Sequence, residues 1–290
     1  MLARLACVLL GLGLCAGPVE TGTGAPGWQA YLGQQPPGEA PRVFAPGIIS
    51  RGNIHGRLAI SPDGHEILWN TVDLATFATQ ILSVREVGGR WTDPQPPSFA
   101  REGDTKDPVF SPDGTRLYFA ARDKGRWVTR YVEPGAQGWG RPHDSAVRFN
   151  HSSSFTRSGR AYFSAEMNTK VWNTGIFSAR GDAAGVDAAP LPAAINVPGA
   201  IDYTPYVAPD ESFLLFTSNR PLAGDREDMH IHVAFRTQAG AWSAPRRVFD
   251  IPGRFPSISP DGRYLFFCGD DGNIYWADVR ALDPLRPLAR

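Results

Sequence analysis

Short apolar runs rich in aromatic and branched residues recur along the chain, and polar turn-forming residues precede each of them. The runs occupy residues 67–69, 117–119, 161–163, 214–216 and 265–267. Runs this short, bounded by Gly, Pro and Asp, are typical of buried β-strands. A second apolar segment follows each run, at 81–84, 128–131, 175–178, 230–233 and 274–277, and predicts a further strand in every unit.

The turn before each run is built from one repeated tetrapeptide. Ser-Pro-Asp-Gly stands unchanged at 61–64, 111–114 and 259–262, and altered copies stand at 156–159 (Thr-Arg-Ser-Gly) and 208–211 (Ala-Pro-Asp-Glu). Pro presets φ, Asp can bond the following backbone and Gly permits positive φ, so each copy predicts a hairpin turn. Starts at 61, 111, 156, 208 and 259 give intervals of 50, 45, 52 and 51 residues, which predict a repeat architecture.

The ends of the chain predict how the repeats close. Three units continue into a tryptophan, at Trp91, Trp139 and Trp242, which is predicted to cover the outer edge of its unit. The fifth unit lacks such a segment, whereas residues 41–44 resemble residues 245–249. The N-terminal segment is therefore expected to supply the outer strand of the last unit and to remove its open edge. These features predict an all-β, five-bladed β-propeller; a six-bladed ring is the alternative, but the intervals leave no room for another blade.

The repeated Ser-Pro-Asp-Gly followed by an aromatic strand resembles the PD40, or WD40-like, repeat of TolB-type propellers over residues 41–290. The resemblance implies the propeller fold. It implies little about function, because such propellers serve as periplasmic scaffolds, as non-catalytic domains of peptidases and occasionally as sugar lyases. The chain differs from TolB in having five recognisable units instead of six and no separate N-terminal α/β domain.

The N-terminus predicts export. Arg4, the apolar residues 5–14 and the small pair Ala16-Gly17 form the pattern of a signal peptide, and the run is shorter than the ~20 residues of a membrane span. Residues 1–25 are assigned to the signal and cleavage region, 26–40 to a linker and 41–290 to the propeller. The mature protein is expected in the periplasm or outside the cell, as a monomer without a transmembrane span.

Cysteine usage adds one alternative to this picture. Residues 12–15 resemble a lipobox, so lipidation of Cys15 is the alternative form, although Leu14 stands where a small residue is usual. Cleavage leaves Cys268 as the one mature cysteine, which excludes an intramolecular disulfide and predicts a buried apolar role.

Charge excludes one class of partner. Lys and Arg number 29, as do Asp and Glu, so the net charge of zero gives no bulk attraction to nucleic acid or anionic lipid. The expected partner is a periplasmic or cell-envelope protein or glycan.

Polar residues stand where the first strand of each unit begins and where the second ends, and these points converge at one end of the propeller axis. The predicted ligand-binding residues there are His55, Asp107, His151, Glu166, Asp202, Tyr203, Arg220 and Arg254. His55, His151, Asp107 and Asp202 are the candidate ligands of a divalent metal. Whole blades separate them, unlike the ligands of local metal motifs, so residues lining a water-filled channel are the default interpretation and no cofactor is predicted. His230 and His232, on one face of a third strand, are a weaker metal candidate.

The motifs of serine hydrolases, phosphate-binding loops, zincins and dinucleotide-binding enzymes are missing from the sequence. The leading hypothesis is therefore an exported, non-catalytic propeller that binds a protein or carbohydrate on its axial face. The alternative is a carbohydrate-active enzyme with its site at the axis. A glycosidase would need two nearby carboxyl groups there, and a lyase would need a metal or Arg together with a base.

Overall fold

The computed structural model describes residues 31–135, 138–145, 152–167, 174–180, 188–220 and 228–287, and its five four-stranded antiparallel sheets confirm the predicted five-bladed propeller. From the axis outward, blade 1 contains β2 (Ala59–Ile60), β3 (Glu66–Val72), β4 (Thr79–Val87) and β5 (Arg90–Trp91), and blade 2 contains β6 (Thr105–Phe110), β7 (Leu117–Asp123), β8 (Arg126–Val132) and β11 (His143–Asp144). In the same order, blade 3 contains β12 (Ser153–Phe155), β13 (Arg160–Glu166), β14 (Thr174–Arg180) and β15 (Ala189–Pro190), and blade 4 contains β16 (Asp202–Val207), β17 (Phe213–Ser218), β18 (His230–Phe235) and β19 (Arg246–Arg247). Blade 5 contains β20 (Gly253–Ile258), β21 (Tyr264–Gly269), β22 (Ile274–Asp278) and, as its outer strand, β1 (Arg42–Val43).

Two smaller kinds of element complete the described chain. A hairpin of β9 (Pro134–Gly135) and β10 (Gly138–Trp139) precedes the outer strand of blade 2. Short 3-10 helices span Tyr31–Gly33, Ser98–Ala100 and Val279–Leu285. No helix within the described ranges has the length and apolar character needed to cross a membrane.

The Ser-Pro-Asp-Gly turns satisfy their polar groups internally. Ser61 Oγ donates to Asp63 Oδ1 at 2.5 Å, the same carboxylate oxygen accepts the His65 amide at 3.0 Å, and Ser61 Oγ accepts the Glu66 amide at 2.9 Å. The Gly64 amide closes the turn onto the Ser61 carbonyl at 2.8 Å, with φ of 76°. The turns at 111–114 and 259–262 repeat this network. The tetrapeptide therefore ties the inner strand to the second strand in each of these blades.

Glu211 occupies the glycine position of the altered turn in blade 4, with φ of 59°. A side chain is disfavoured in this left-handed region. Its carboxylate accepts the Tyr162 hydroxyl at 2.7 Å and lies 3.5 Å from the Arg160 guanidinium and 3.4 Å from that of Arg236. Contacts between blades 3 and 4 thus accompany the strained backbone of this turn.

The ring closes through the N-terminal segment, as predicted. Arg42 pairs with Trp276 and Val43 with Tyr275, so β1 forms the outer edge of blade 5. Phe44 is fully buried, and its ring centroid lies 5.1 Å from that of Trp276. The last blade therefore takes its outer strand from the start of the propeller sequence.

The chain before β1 also packs on blade 5. Tyr31, within the predicted linker, is 5% exposed and contacts the rings of Tyr264 and Trp276, with centroids 5.0 and 5.5 Å away. Its hydroxyl donates to Asp261 in the turn of that blade at 3.2 Å. The part of the linker that the structure describes is therefore held against the propeller.

Trp139 and Trp242 lie between neighbouring blades. Trp139 Nε1 donates to the Glu66 carboxylate of blade 1 at 3.0 Å. The ring of Trp242 meets Tyr162 of blade 3 edge-on at 6.3 Å, and the Arg236 guanidinium covers it at 3.9 Å. Each ring therefore links its own blade to the preceding one. The sequence pattern predicts for these rings only the role of covering the outer edge of their own blade.

Candidate functional site

The inner strands begin at one end of the ring, which we call the entry face and define by His55, Lys106, Tyr203 and Arg254. Inner and second strands lose register between Lys106 and Val109, and likewise between 203 and 206 and between 254 and 257. Inside these bulges, one non-glycine residue has φ between 51° and 58° and a proline follows it: Asp107, Thr204 and Phe255. Bulges re-aim side chains. Blades 2, 4 and 5 therefore turn their inner strands in the same way at this level.

Three predicted residues, His55, Tyr203 and Arg254, meet at the entry face together with the neighbouring Phe255. The ring of buried Phe255 lies 5.2 Å from His55 and 6.2 Å from Tyr203, edge-on to both. Arg254 pairs with Asp270 at 2.7 Å and also interacts with the Tyr203 hydroxyl. Blades 1, 4 and 5 thus bring an imidazole, two aromatic rings and a guanidinium together beside the axis.

The electrostatics of this cluster keep its histidine neutral. Desolvation lowers the pKa of His55 below its ordinary value, against the opposing effect of the Asp107 carboxylate. Burial raises the pKa of Tyr203. At neutral pH the cluster therefore offers an uncharged imidazole and an uncharged phenol beside a paired guanidinium, which are groups suited to hydrogen bonding.

Asn70 fixes the position of His55. Its side chain is fully buried, donates to the His55 carbonyl at 2.6 Å and accepts the Asp107 amide at 3.2 Å, which joins blades 1 and 2. A Cβ on Gly56 would lie 1.9 Å from Asn70 Oδ1. Glycine is therefore required at position 56 for this link.

Asp202 and Arg220 form a separate buried pair. Their side chains meet at 2.7 Å, and Arg220 also donates to the Ile195 carbonyl at 2.6 Å, while Asp202 accepts the Val197 amide at 3.0 Å. These bonds fasten the loop before β16 to blade 4. The structure assigns the pair this connecting role and does not bring it into the His55 cluster.

Glu166, another predicted residue, does not join the cluster. Glu166 is exposed at the end of β13. His151 lies outside the described residues. Within the described part of the chain, no three His, Cys, Asp or Glu side chains converge on a point that could hold a metal.

Sequence reasoning missed Arg57, which stands four residues before its turn, as Asp107, Thr204 and Phe255 do before theirs. Its guanidinium is 2% exposed and donates to the carbonyls of Ser153 and, at 2.7 Å, Pro205. Blades 3 and 4 lie opposite blade 1 in the ring of five blades. The Arg57 side chain therefore spans the axial channel. The sequence signal that could have identified Arg57 is its position within the repeat, because that position places the charge at the level of the bulges.

A hydrogen-bonded turn on the entry face exposes two apolar side chains. Asp73 Oδ1 accepts the amides of Ala75 and Thr76 at 2.9 and 2.8 Å. Leu74 is 71% exposed and Phe77 is 76% exposed, and Phe77 has φ of 58°. Strained backbone and exposed apolar groups are features that accompany interaction sites.

His232, the weaker metal candidate, is instead a buried titratable group. It is 2% exposed, its ring stacks on Phe216 at 5.9 Å, and its Nε2 has no hydrogen-bond partner among the residues that the structure describes. Desolvation, followed by the positive charge of Arg220, lowers its pKa from 6.5 to about 4. The folded protein therefore holds His232 neutral in weak acid.

We expect this histidine to weaken the fold in weak acid. Above pH 6.5, His232 is neutral in both states; between pH 6.5 and 4 the unfolded chain binds a proton that the folded chain does not, so stability falls by up to about 3 kcal/mol as the pH drops. Urea unfolding of the parent and His232→Gln at pH 7.5 and pH 4.5 checks this. The variant should lose part of the acid sensitivity, whereas His143→Gln, at an exposed histidine, should retain it. Equal acid sensitivity in parent and His232→Gln would contradict the prediction.

Comparisons with known proteins agree with the fold. The chain is similar to a putative TolB from Agrobacterium tumefaciens (TM-score 0.50, 19% identity, 76% of this chain and 71% of that one) and to a thermostable family-43 glycoside hydrolase (TM-score 0.51, 11% identity, 84% and 90%). A TolB from Acinetobacter baumannii also matches (TM-score 0.43, 15% identity), and the match covers 76% of this chain and about half, 53%, of that protein. No family model and no curated protein matches the sequence, so the PD40 assignment stays a prediction.

Proposed function

We propose that this protein is an exported, non-catalytic β-propeller that binds a protein or carbohydrate ligand on its entry face. The observation that carries the proposal is the convergence of His55, Tyr203, Arg254 and Phe255 from three blades at one end of the axis. Aromatic rings beside hydrogen-bonding groups suit recognition of either kind of ligand. The export pattern at the N-terminus supports a ligand of the cell envelope.

A protein ligand is favoured over a carbohydrate by the turn that carries Leu74 and Phe77. The turn follows β3, whose end pairs with Asn53 and Ile54 next to His55, and so lies at the same end of the ring as His55. Apolar side chains exposed by about three quarters gain free energy when a partner covers them. The cluster near the axis and this turn would then form two parts of one interface.

Site-specific photo-crosslinking tests the proposal in the cells that make the protein. A photoreactive phenylalanine analogue replaces Phe77 in one variant and Thr115, exposed in a turn at the opposite end, in the other. We expect a discrete protein adduct from position 77 and none from position 115. The adduct should be lost in Leu74→Ser and in Arg254→Gln, since each removes one part of the interface.

Binding of the captured partner to the purified protein measures how strongly substitutions in the turn weaken the interaction. We expect Leu74→Ser/Phe77→Ser to weaken binding at least ~10-fold, a loss of about 1.4 kcal/mol, with an unchanged melting temperature. A glycan array in which Tyr203→Ala loses binding, without any protein adduct, would identify a carbohydrate ligand instead. Turnover of a polysaccharide that depends on His55 or Asp107 would replace the proposal with the enzyme alternative.

A further inference from the structure

The other end of the axis contains a cavity that the proposed function does not use. We call this end the turn face and define it by the five turns that begin at residues 61, 111, 156, 208 and 259. The cavity has a volume of about 260 Å³ and is lined by residues of all five blades. Four turn prolines line it, at positions 62, 112, 209 and 260. The six-residue inner strands, at ~3.3 Å per residue, separate the two faces by about 20 Å.

The charged residues of the cavity are all positive. Arg57 and Arg157 line it, and its described lining includes no Asp or Glu. Arg57 is buried, whereas Arg157 is exposed. Tyr206 also lines the cavity, and its hydroxyl is near enough to both arginines to interact electrostatically with them. The cavity therefore favours an anion.

Arg57 has hydrogen-bonding capacity left over. A guanidinium has five N–H donors, and three of these reach the carbonyls of Ser153, Thr204 and Pro205. Its Nε is buried without a partner among the described residues, and the Asp107 carboxylate acts on the guanidinium electrostatically without forming a direct ion pair with it. A buried charge is costly unless it is paired. Burial lowers the pKa of Arg57 to about 10, which still leaves it charged at neutral pH.

The cavity walls are apolar. Val109, Phe110, Phe155 and Ile258 contribute to the lining together with the turn prolines. The volume is below the ~300–1,000 Å³ of sites for drug-sized ligands, so the occupant is small. An apolar body that carries one planar anionic group fits both the walls and the guanidinium.

We infer that the turn-face cavity binds a small organic carboxylate, whose anionic group pairs with Arg57 and whose apolar body lies against the apolar walls of the cavity. A single-ring aromatic acid or a short aliphatic acid has the required size and charge. Tyr206 would donate a further hydrogen bond to the carboxylate. The proposed function uses neither Arg57 nor the turn prolines, so either proposal can fail without the other.

Benzoate is the probe for this site, and benzyl alcohol is its uncharged counterpart of similar shape. Calorimetric titration of the parent protein should give a Kd of about 1 mM for benzoate and at least ~10-fold weaker binding of benzyl alcohol. Arg57→Met should lose benzoate binding at least ~10-fold, because the methionine keeps the length of the side chain and removes the charge. Arg122→Met, at a half-exposed arginine at the end of β7, should bind benzoate like the parent.

A second measurement avoids dependence on how Arg57→Met folds. In parent protein labelled with 15N-arginine, benzoate should shift the Nε–H resonance that is absent from Arg57→Lys, and benzyl alcohol should leave it in place. Equal benzoate binding by Arg57→Met and parent would overturn the inference. An Arg57 resonance that does not move at ~10 mM benzoate, ten times the expected Kd, would do the same.

Discussion

Deletion of residues 41–47 should lower the free energy of unfolding by several kcal/mol, which is the largest loss we expect from any change considered for this protein. The deletion removes β1 and leaves the edge of β22 open. It also removes Phe44, which is fully buried against Phe266 and Trp276; loss of a buried phenylalanine side chain alone costs roughly 3–5 kcal/mol. Urea unfolding followed by circular dichroism measures the change.

Two point variants separate the contributions to this loss. Phe44→Ala keeps the strand and removes the ring, so it should account for much of the decrease. Arg42→Ala, at an exposed position of the same strand, should stay within about 0.5 kcal/mol of the parent. Size-exclusion chromatography of the deletion variant should show association through the open edge of β22. A deletion variant as stable as the parent would show that β1 does not hold the ring closed.

Replacement of Trp242 by Ala should cost roughly 3–5 kcal/mol, because its ring is 8% exposed and fills the space between blades 3 and 4. The variant also removes the ring under the Arg236 guanidinium, which pairs with Glu211 in the strained turn. Thermal and urea unfolding measure the effect.

Trp139 supplies the comparison for this prediction. Trp139→Phe keeps an aromatic ring near Phe99 and removes the hydrogen bond to Glu66, so the loss should be only ~1–3 kcal/mol. Binding of an entry-face ligand by the folded fraction of either variant should equal that of the parent. A selective loss of binding with unchanged stability would make these rings recognition residues instead.

The strand pattern could be predicted because local chemistry determines it. The Ser61 and Asp63 side chains close their turn within five residues, so the tetrapeptide carries nearly all the information for the hairpin. The closure by residues 41–44 was predicted from the likeness to another outer segment. The inward packing of Trp139 and Trp242 was not, because a one-dimensional pattern shows which strand comes next but not which neighbouring blade a long side chain reaches.

The candidate site was less predictable, because adjacent residues of a strand point to opposite sides. Tyr203 contacts Phe255 near the axis, whereas its neighbour Asp202 pairs with Arg220 away from that cluster. Bulges shift this alternation, and the sequence carries no clear mark of them beyond the following proline. Arg57 belongs to no motif, and its significance arises only when blades 3 and 4 meet it across the ring.

The pairing of Arg42 with Trp276 also determines when this protein can finish folding. The two residues are 276 − 42 = 234 positions apart, so closure is among the most non-local contacts in the chain and follows the synthesis of nearly all of it. Blades 1 to 4 are built from contiguous segments and can form while the first-made segment still lacks its partner. During that interval β1 is open to strands of other molecules, and closing this large loop is the step in which a slow-folding chain would be lost to aggregation.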